Sequence, residues 1–248
     1  MIVDAHIHLN DERYREILDE VIEEALQGGV VKMVVSGYDR ESSLKAVEIA
    51  KKYDSCYAAV GLHPSEAVKD ADLSWLPPLL KAEKVVAVGE IGLDYYWDKY
   101  QRELQIEVFK KQIEMARSAG LPIVVHSREA AQDTFNVLKE RIPGLLHCFP
   151  YSAEMAREFV KLGYYLGIGG VVTFKNSRVL KEVVEAIDLQ HLITETDGPY
   201  LAPVPHRGKL NKPAYIRLVI EKIAGIKGMD VEVAEAALYQ NARNLFNF

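Results

Sequence analysis

Six residues able to bind a divalent metal recur at comparable places along the chain: His6, His8, Glu90, His126, His147 and Asp197. Each follows a short apolar run. His6 and His8 lie two apart in Asp4-Ala5-His6-Ile7-His8, and the period of a β-strand puts both imidazoles on one face. Glu90 follows Val85–Val88, His126 follows Ile123–Val125, His147 follows Leu145–Leu146, and Asp197 follows Leu192–Ile193. A lone H-x-H is weak evidence, and a lone carboxylate after a strand is usually a helix cap or a solvated loop residue. Six such groups gathered together are different, because burying them without compensation is costly. Metal binding supplies the compensation. Six ligands suit two ions better than one, since a catalytic ion keeps open positions. A carboxylate can face a different ion with each oxygen, and Glu90, on the strand between the two groups, is the expected bridge. The mixed imidazole and carboxylate set suits Zn, Mn, Fe or Co more than Ca, and Mg when waters complete its shell.

The elements that must position these groups alternate. The apolar runs Ile2–Val3, Val31–Val35, Tyr57–Val60, Val85–Val88, Ile123–Val125, Leu145–Leu146, Tyr164–Ile168 and Leu192–Ile193 are eight candidate strands. Segments of helical spacing follow them. Glu12–Gln27 reads as one helix, with Ile17, Leu18, Val21, Ile22, Ala25 and Leu26 on one face and Gly28-Gly29 as its stop. Gln101–Ala119, ended by Gly120, reads as another, and the tail from Asp230 as a last helix covering one end of the molecule. Strands alternating with helices imply a parallel sheet, and eight such units close into a (β/α)₈ (TIM) barrel, whose active sites form at the carboxyl ends of the strands. The alternative is an open doubly wound sheet. No G-x-G-x-x-G fingerprint opens the first unit, which weakens its nucleotide-binding version.

A chain of 248 residues suits one barrel domain spanning 1–248. Its net charge of −6 argues against electrostatic coating of nucleic acid, though not against gripping a few phosphates at one site. No apolar run is long enough to span a membrane, and Met1–His6 does not open like a secretory signal. Cys56 and Cys148 form no C-x-x-C pair, so a reducing cytoplasm is the expected location.

Six runs together resemble the TatD family of metal-dependent deoxyribonucleases. They are Val3-Asp4-Ala5-His6-Ile7-His8-Leu9, Gly61-Leu62-His63-Pro64, Gly89-Glu90-Ile91-Gly92-Leu93-Asp94-Tyr95, Val125-His126-Ser127-Arg128, His147-Cys148-Phe149 and Glu195-Thr196-Asp197-Gly198-Pro199-Tyr200-Leu201. Arg207-Gly208-Lys209-Leu210-Asn211 looks like that family's basic loop. The motifs keep the family's order over nearly the whole chain. The resemblance implies a barrel and a two-metal hydrolase cutting phosphodiesters in DNA, as a single strand or at a 3′ end, often as a 3′–5′ exonuclease. It implies that His6, His8 and Asp197 hold one ion, His126 and His147 the other, with Glu90 between. His63, Arg207 and Asn211 would lie near the substrate. Two positions depart from the pattern: Ser65, where a second His is common after His-Pro, and Lys212, where Glu is common before Pro.

The residues alone point to the same reaction type. Two ions about 3.5–4 Å apart stabilise the attacking and leaving oxygens of an in-line displacement at phosphorus. Asp197 is expected to orient the attacking water or take its proton. Arg207, Lys209 and Lys212 on the long loop Pro199–Pro213 are candidates for phosphate contacts, and Arg128 and Lys175 weaker ones. Tyr95, Tyr96 and Trp97 either stack a base or pack at the barrel rim, with packing favoured. Two other functions remain open at this point. One is hydrolysis of a small-molecule C–N, lactone or phosphoester bond, as in the wider amidohydrolase superfamily, where a modified Lys commonly takes the place of Glu90. The other is a metal-binding barrel that serves as an interaction protein, which the complete ligand set makes unlike a dead enzyme.

Overall fold

The eight apolar runs become eight parallel strands in the computed structural model, which describes residues 1–96 and 101–248. They are β1 (Ile2–Ile7), β2 (Val30–Ser36), β3 (Cys56–Val60), β4 (Val85–Asp94), β5 (Ile123–Arg128), β6 (Gly144–Leu146), β7 (Tyr165–Ile168) and β8 (Leu192–Thr194). Neighbours in sequence are neighbours in the sheet throughout. That order never reverses, so the doubly wound alternative falls away. The seam between first and last strand is joined just beyond β8. The Asp197 N–H donates to the carbonyl of His6 at 2.9 Å, and the His8 N–H to that of Gly198 at 2.7 Å. The buried Asp4 carboxylate completes the seam, accepting the Thr196 N–H at 2.9 Å and its hydroxyl at 2.5 Å. The fold is a (β/α)₈ barrel.

Helices α1 (Leu18–Gln27), α2 (Arg40–Lys52), α3 (Pro64–Ala67), α4 (Leu76–Leu79), α5 (Arg102–Ala119), α6 (Ala131–Leu138), α7 (Ala153–Lys161), α8 (Arg178–Ala186) and α9 (Ile216–Lys227) cover the outside, and α10 (Val231–Phe246) ends the chain. Two sequence expectations need correction. Glu12–Gln27 is not one helix. A 3₁₀ turn at Glu12–Tyr14, capped by the Asp11 carboxylate, is separated from α1. Tyr14 is fully buried and its hydroxyl donates to the carbonyl of Asn211 at 2.5 Å, which pins the turn to the loop after β8. The strands β1 and β4 also run further than their apolar stretches, through His6 and through Glu90 to Asp94. α5 ends as expected at Gly120, whose φ of +67° suits glycine.

The core has two layers. The larger lies between strands and helices; Met33, Val60, Ile91 and Leu166 meet Ile22, Phe109, Phe159 and Ile220 there. The smaller joins Val3, Ala5, Val34, Ala59, Ala87, Val124, Leu145 and Ile193 with Ala242, Leu245 and Phe246 of α10. These strand residues are the inward ones, so α10 plugs the amino end of the barrel. Its Asn241 amide donates to the carbonyls of Leu189 and Leu192 at 2.8 and 2.7 Å. The carboxyl end is left for chemistry.

Two register slips aim side chains at that end. One falls between Asp4 and Ile7 in β1, the other between Val88 and Ile91 in β4. Ala5 packs in the inner layer and Ile7 in the outer, so the slip lets His6 and His8 turn inward as well. Val88 and Ile91, three apart, both pack outward, and Glu90 is turned in between them. Gly92 keeps β4 against β5. Its φ is +143°, and a Cβ there would fall 1.9 Å from the carbonyl oxygen of His126.

Truncating the plug should separate stability from the site. Phe246→Ala is expected to lower the unfolding free energy by about 3–5 kcal/mol, the usual range for a buried Phe. Urea titration measures this, and a chelator competition on the same protein should show unchanged metal affinity.

Candidate metal centre

The centre is organised around Glu90, which is 4 % exposed. Its Oε2 lies 3.7 Å from Nε2 of His6 and 3.7 Å from Nε2 of His8. Its Oε1 lies 2.8 Å from Nε2 of His147, 3.0 Å from Nδ1 of His126 and 3.6 Å from Nε2 of His63. Asp197 Oδ1 stands 3.6 Å from His6 Nε2 and 3.5 Å from His8 Nε2, and those two nitrogens are 3.3 Å apart. A tetrahedral ion with ligands at about 2.1 Å holds its donors about 3.4 Å apart. The separations among His6, His8, Asp197 and Glu90 fit that cage. The second group is tighter, with His126 and His147 donors 3.3 Å apart and both within hydrogen-bond reach of Glu90. All six residues expected from sequence converge here, and His63 joins them.

The far side of each ring fixes its orientation. His8 Nδ1 donates to the carbonyl of Ser36 at 3.0 Å, which turns Nε2 toward the cage. His6 Nδ1 and the Ser36 hydroxyl are 3.0 Å apart. His126 Nε2 lies 2.9 Å from Asp94 Oδ2, so Nδ1 is the nitrogen turned toward Glu90. A carboxylate behind a ligating imidazole sets its tautomer and raises its basicity. His63 Nδ1 accepts the Ser65 N–H at 3.1 Å and lies 2.7 Å from its hydroxyl, so Ser65 braces His63 from behind.

Electrostatics match a place built for cations. Burial by itself would raise Glu90, but the charges of His147 and His63 and hydrogen bonds from His126 and His147 hold it well below the ordinary carboxylate range. Burial pulls His8 down, yet its hydrogen bond to Asp197 and the charges of Glu90 and Asp197 lift it to about 9. His126 also reaches about 9 against burial, through Asp94 and Glu90. Burial and the nearby His126 take His63 down to about 3. The protons that His8 and His126 hold in the free protein occupy the positions a metal would take.

Other expected residues lie elsewhere. Asn211 does not reach a substrate-facing surface. It is fully buried, its amide donates to the carbonyls of Thr196 and Tyr200 at 2.8 and 2.7 Å, and it clamps the loop carrying Asp197. Asp197 itself has φ +54°, a left-handed conformation this clamp and the seam hold in place. Lys212 pairs with Glu24 at 2.7 Å, which ties it to α1. Arg207 is exposed, with its guanidinium 3.7 Å above the Phe174 ring. Tyr95 is buried with its hydroxyl on Asp133 at 2.9 Å, a packing residue; Tyr96 is half-exposed under the Arg128 guanidinium at 3.8 Å, and Trp97 lies outside the described residues. Sequence reasoning missed Asp94, Ser36 and the position of His63 against Glu90. Asp94 was legible, since it sits four residues after Glu90 and strand period two returns it to the same side. Nothing local singles out Ser36.

Donor cages at the carboxyl end of a (β/α)₈ barrel define a metal-dependent hydrolase. Comparison with known proteins narrows the class. The model of the TatD-related DNase family matches residues 3–247, and the chain belongs to that family. It is 46 % identical to the metal-dependent hydrolase YabD of Bacillus subtilis over 99 % of both chains. It is 35 % identical to the metal-dependent hydrolase YcfH of Escherichia coli, covering 99 % of this chain and 96 % of that one. The crystal structure of YJJV, a TatD homologue from Escherichia coli, superposes with a TM-score of 0.94 at 31 % identity, over 100 % of this chain and 98 % of that one.

Two outcomes follow for metal binding. Asp94→Asn should weaken metal binding by about 10–100-fold, the usual effect of losing a carboxylate behind a ligating His; a chelator competition measures it. Because His8 and His126 are held at about 9, binding at neutral pH must release protons, and affinity should climb as pH rises toward that value. Calorimetric titration in buffers of different ionisation enthalpy counts the protons, and a pH-independent affinity would contradict the protonated rings.

Proposed function

We propose that this chain hydrolyses phosphodiester bonds in DNA through two divalent ions, as a 3′–5′ exonuclease. One observation carries the two-ion reading: the two oxygens of Glu90 address different donor groups, Oε2 facing His6 and His8 while Oε1 faces His63, His126 and His147. The residues fit such ions in donor type and spacing. His6, His8 and Asp197 would hold one, His126 and His147 the other, with Glu90 shared. Bound there, Zn, Mn or Mg would polarise the phosphoryl group and acidify water.

The protein's own part is positioning and proton transfer. The Asp197 side chain is 14 % exposed, enough for one oxygen to meet a water while the other faces the imidazoles. It orients the attacking water and takes its proton. His63, also 14 % exposed, lies with His8, Tyr38, Ser65 and Tyr200 around a polar cleft of about 200 Å³ that opens onto Glu90. It would donate to a phosphate oxygen from Nε2. Arg207 and Lys209, both exposed on the loop after β8, supply charge for phosphates that do not react. The family and the complete donor set support hydrolysis of DNA over the binding-protein reading.

Kinetics of two variants separate chemistry from grip. Asp197→Asn keeps shape and an oxygen but loses the proton acceptor, so kcat on labelled single-stranded DNA should fall about 10²–10⁴-fold with KM little changed. Arg207→Ala should mainly raise KM and make the salt dependence of DNA binding shallower by about one phosphate contact. A wild-type protein that leaves DNA intact but turns over a lactone, hydantoin or small phosphoester panel would move the assignment to the small-molecule reading.

A further inference from the structure

Besides the cleft over Glu90, a second and larger cavity lies beside the metal centre. A cavity of about 460 Å³ lies where the segments after β6 and β7 meet the loop after β8. Phe149 and Tyr151 form one wall, Val171 and Leu180 another, and Leu201 closes the rim. Its link to the ions is Cys148, which lines the cavity and also brings its Sγ within 4.8 Å of donor atoms of His147 and Asp197. A group bonded to a phosphorus held at the metals therefore has this space beside it.

We infer that this cavity is a nucleoside subsite, receiving the base and sugar on one side of the scissile phosphate; the inference rests on the nuclease reading and names where that substrate's base goes. Four observations support it. The volume falls in the range of small-molecule sites, about 300–1,000 Å³, whereas the cleft over Glu90 is smaller and polar. Among the described residues lining it there is no carboxylate, and Arg178 is the single cation, which suits a neutral aromatic group next to an anion. Tyr151 is held before any ligand arrives, its hydroxyl 2.6 Å from that of Ser127 and accepting the Ala130 N–H at 3.3 Å; a fixed aromatic wall loses little freedom on stacking. Leu201 and Val179 stand 39 % and 43 % exposed at the mouth, apolar surface that a base would cover.

The test uses the metal-loaded enzyme and a single-stranded oligonucleotide in which each nucleotide flanking the scissile bond is replaced in turn by an abasic residue. The subsite predicts a fall in kcat/KM of about tenfold or more for one of the two replacements and a small change for the other. Val179→Trp, at an exposed helix position, should fill the mouth and erase that difference. It should slow the intact strand while leaving turnover of the abasic strand and metal affinity near wild type. Equal cleavage of intact and abasic strands by the wild type would overturn the subsite and leave the nuclease standing. So would a Val179→Trp protein that still discriminates. Failure of the wild type to cut any oligonucleotide would instead remove the nuclease reading, and the subsite with it. The wild-type comparison decides even if the variant does not fold.

Discussion

One buried carboxylate among five imidazoles governs this molecule. Glu90 is almost fully removed from water, and an isolated carboxylate there would take up a proton to escape its charge. It stays ionised because His6, His8, His63, His126 and His147 surround it. The reverse also holds, since those rings tolerate burial together only with negative charge in their midst. The free protein answers the problem with protons on some rings, and divalent ions answer it better. The affinity of the centre for cations is thus the other face of the cost of assembling it.

That assembly needs rigid support at every ligand, and the fold supplies it from neighbouring strands. β2 serves β1: Ser36 takes the back of His8 with its carbonyl and of His6 with its hydroxyl. β4 serves β5, because Asp94 holds His126 from behind while Glu90 faces it from the front. The last strand serves the first, as Asp4 secures Thr196 and the His6 carbonyl accepts the Asp197 N–H. Plugging the amino end with α10 lets the inner strand faces stay apolar up to the layer where the ligands begin. A ligand misplaced by an ångström would loosen the whole cage, which is why the clamp of Asn211 on the Asp197 loop matters though it touches no donor atom.

The surroundings of the centre are unequal. On the side of β1 to β3 the cleft is narrow and polar, with His63 and Tyr38 at its edge. On the side of β6 to β8 lies a larger cavity in which Phe149, Tyr151, Val171, Leu180 and Leu201 stand beside Asn176, Ser177 and Arg178. Under the proposed nuclease reading, phosphates would meet the polar side and a base the apolar one. On the loop after β8, Arg207 rests on Phe174. Divalent ions at the centre, with a few local cations, would reverse the sign of the potential there despite the chain's net negative charge.

By itself the sequence determined the class of fold and the donor set. Eight apolar runs separated by helical spacing pointed to a parallel barrel over a doubly wound sheet, and in a barrel the donors after five of those runs meet at its carboxyl end. What it could not determine was aim. By strict alternation Glu90 would face the helices, since Val88 does; a slip in register turns it inward, and such slips follow from how neighbouring strands fit, not from any local composition. The role of Ser36 was invisible for the same reason, as a small polar residue acquires its partners only when β2 lies beside β1. Asn211 sat in a basic, loop-like stretch and looked like a contact for DNA, yet the fold carries it under the Asp197 loop, where buried carbonyls of Thr196 and Tyr200 need a donor. Lys212 was drawn away by Glu24 on a helix nearly two hundred positions distant. Types of residue announce chemistry, but direction, tautomer and partner depend on contacts between segments far apart in the chain, and those exist only once the barrel has closed.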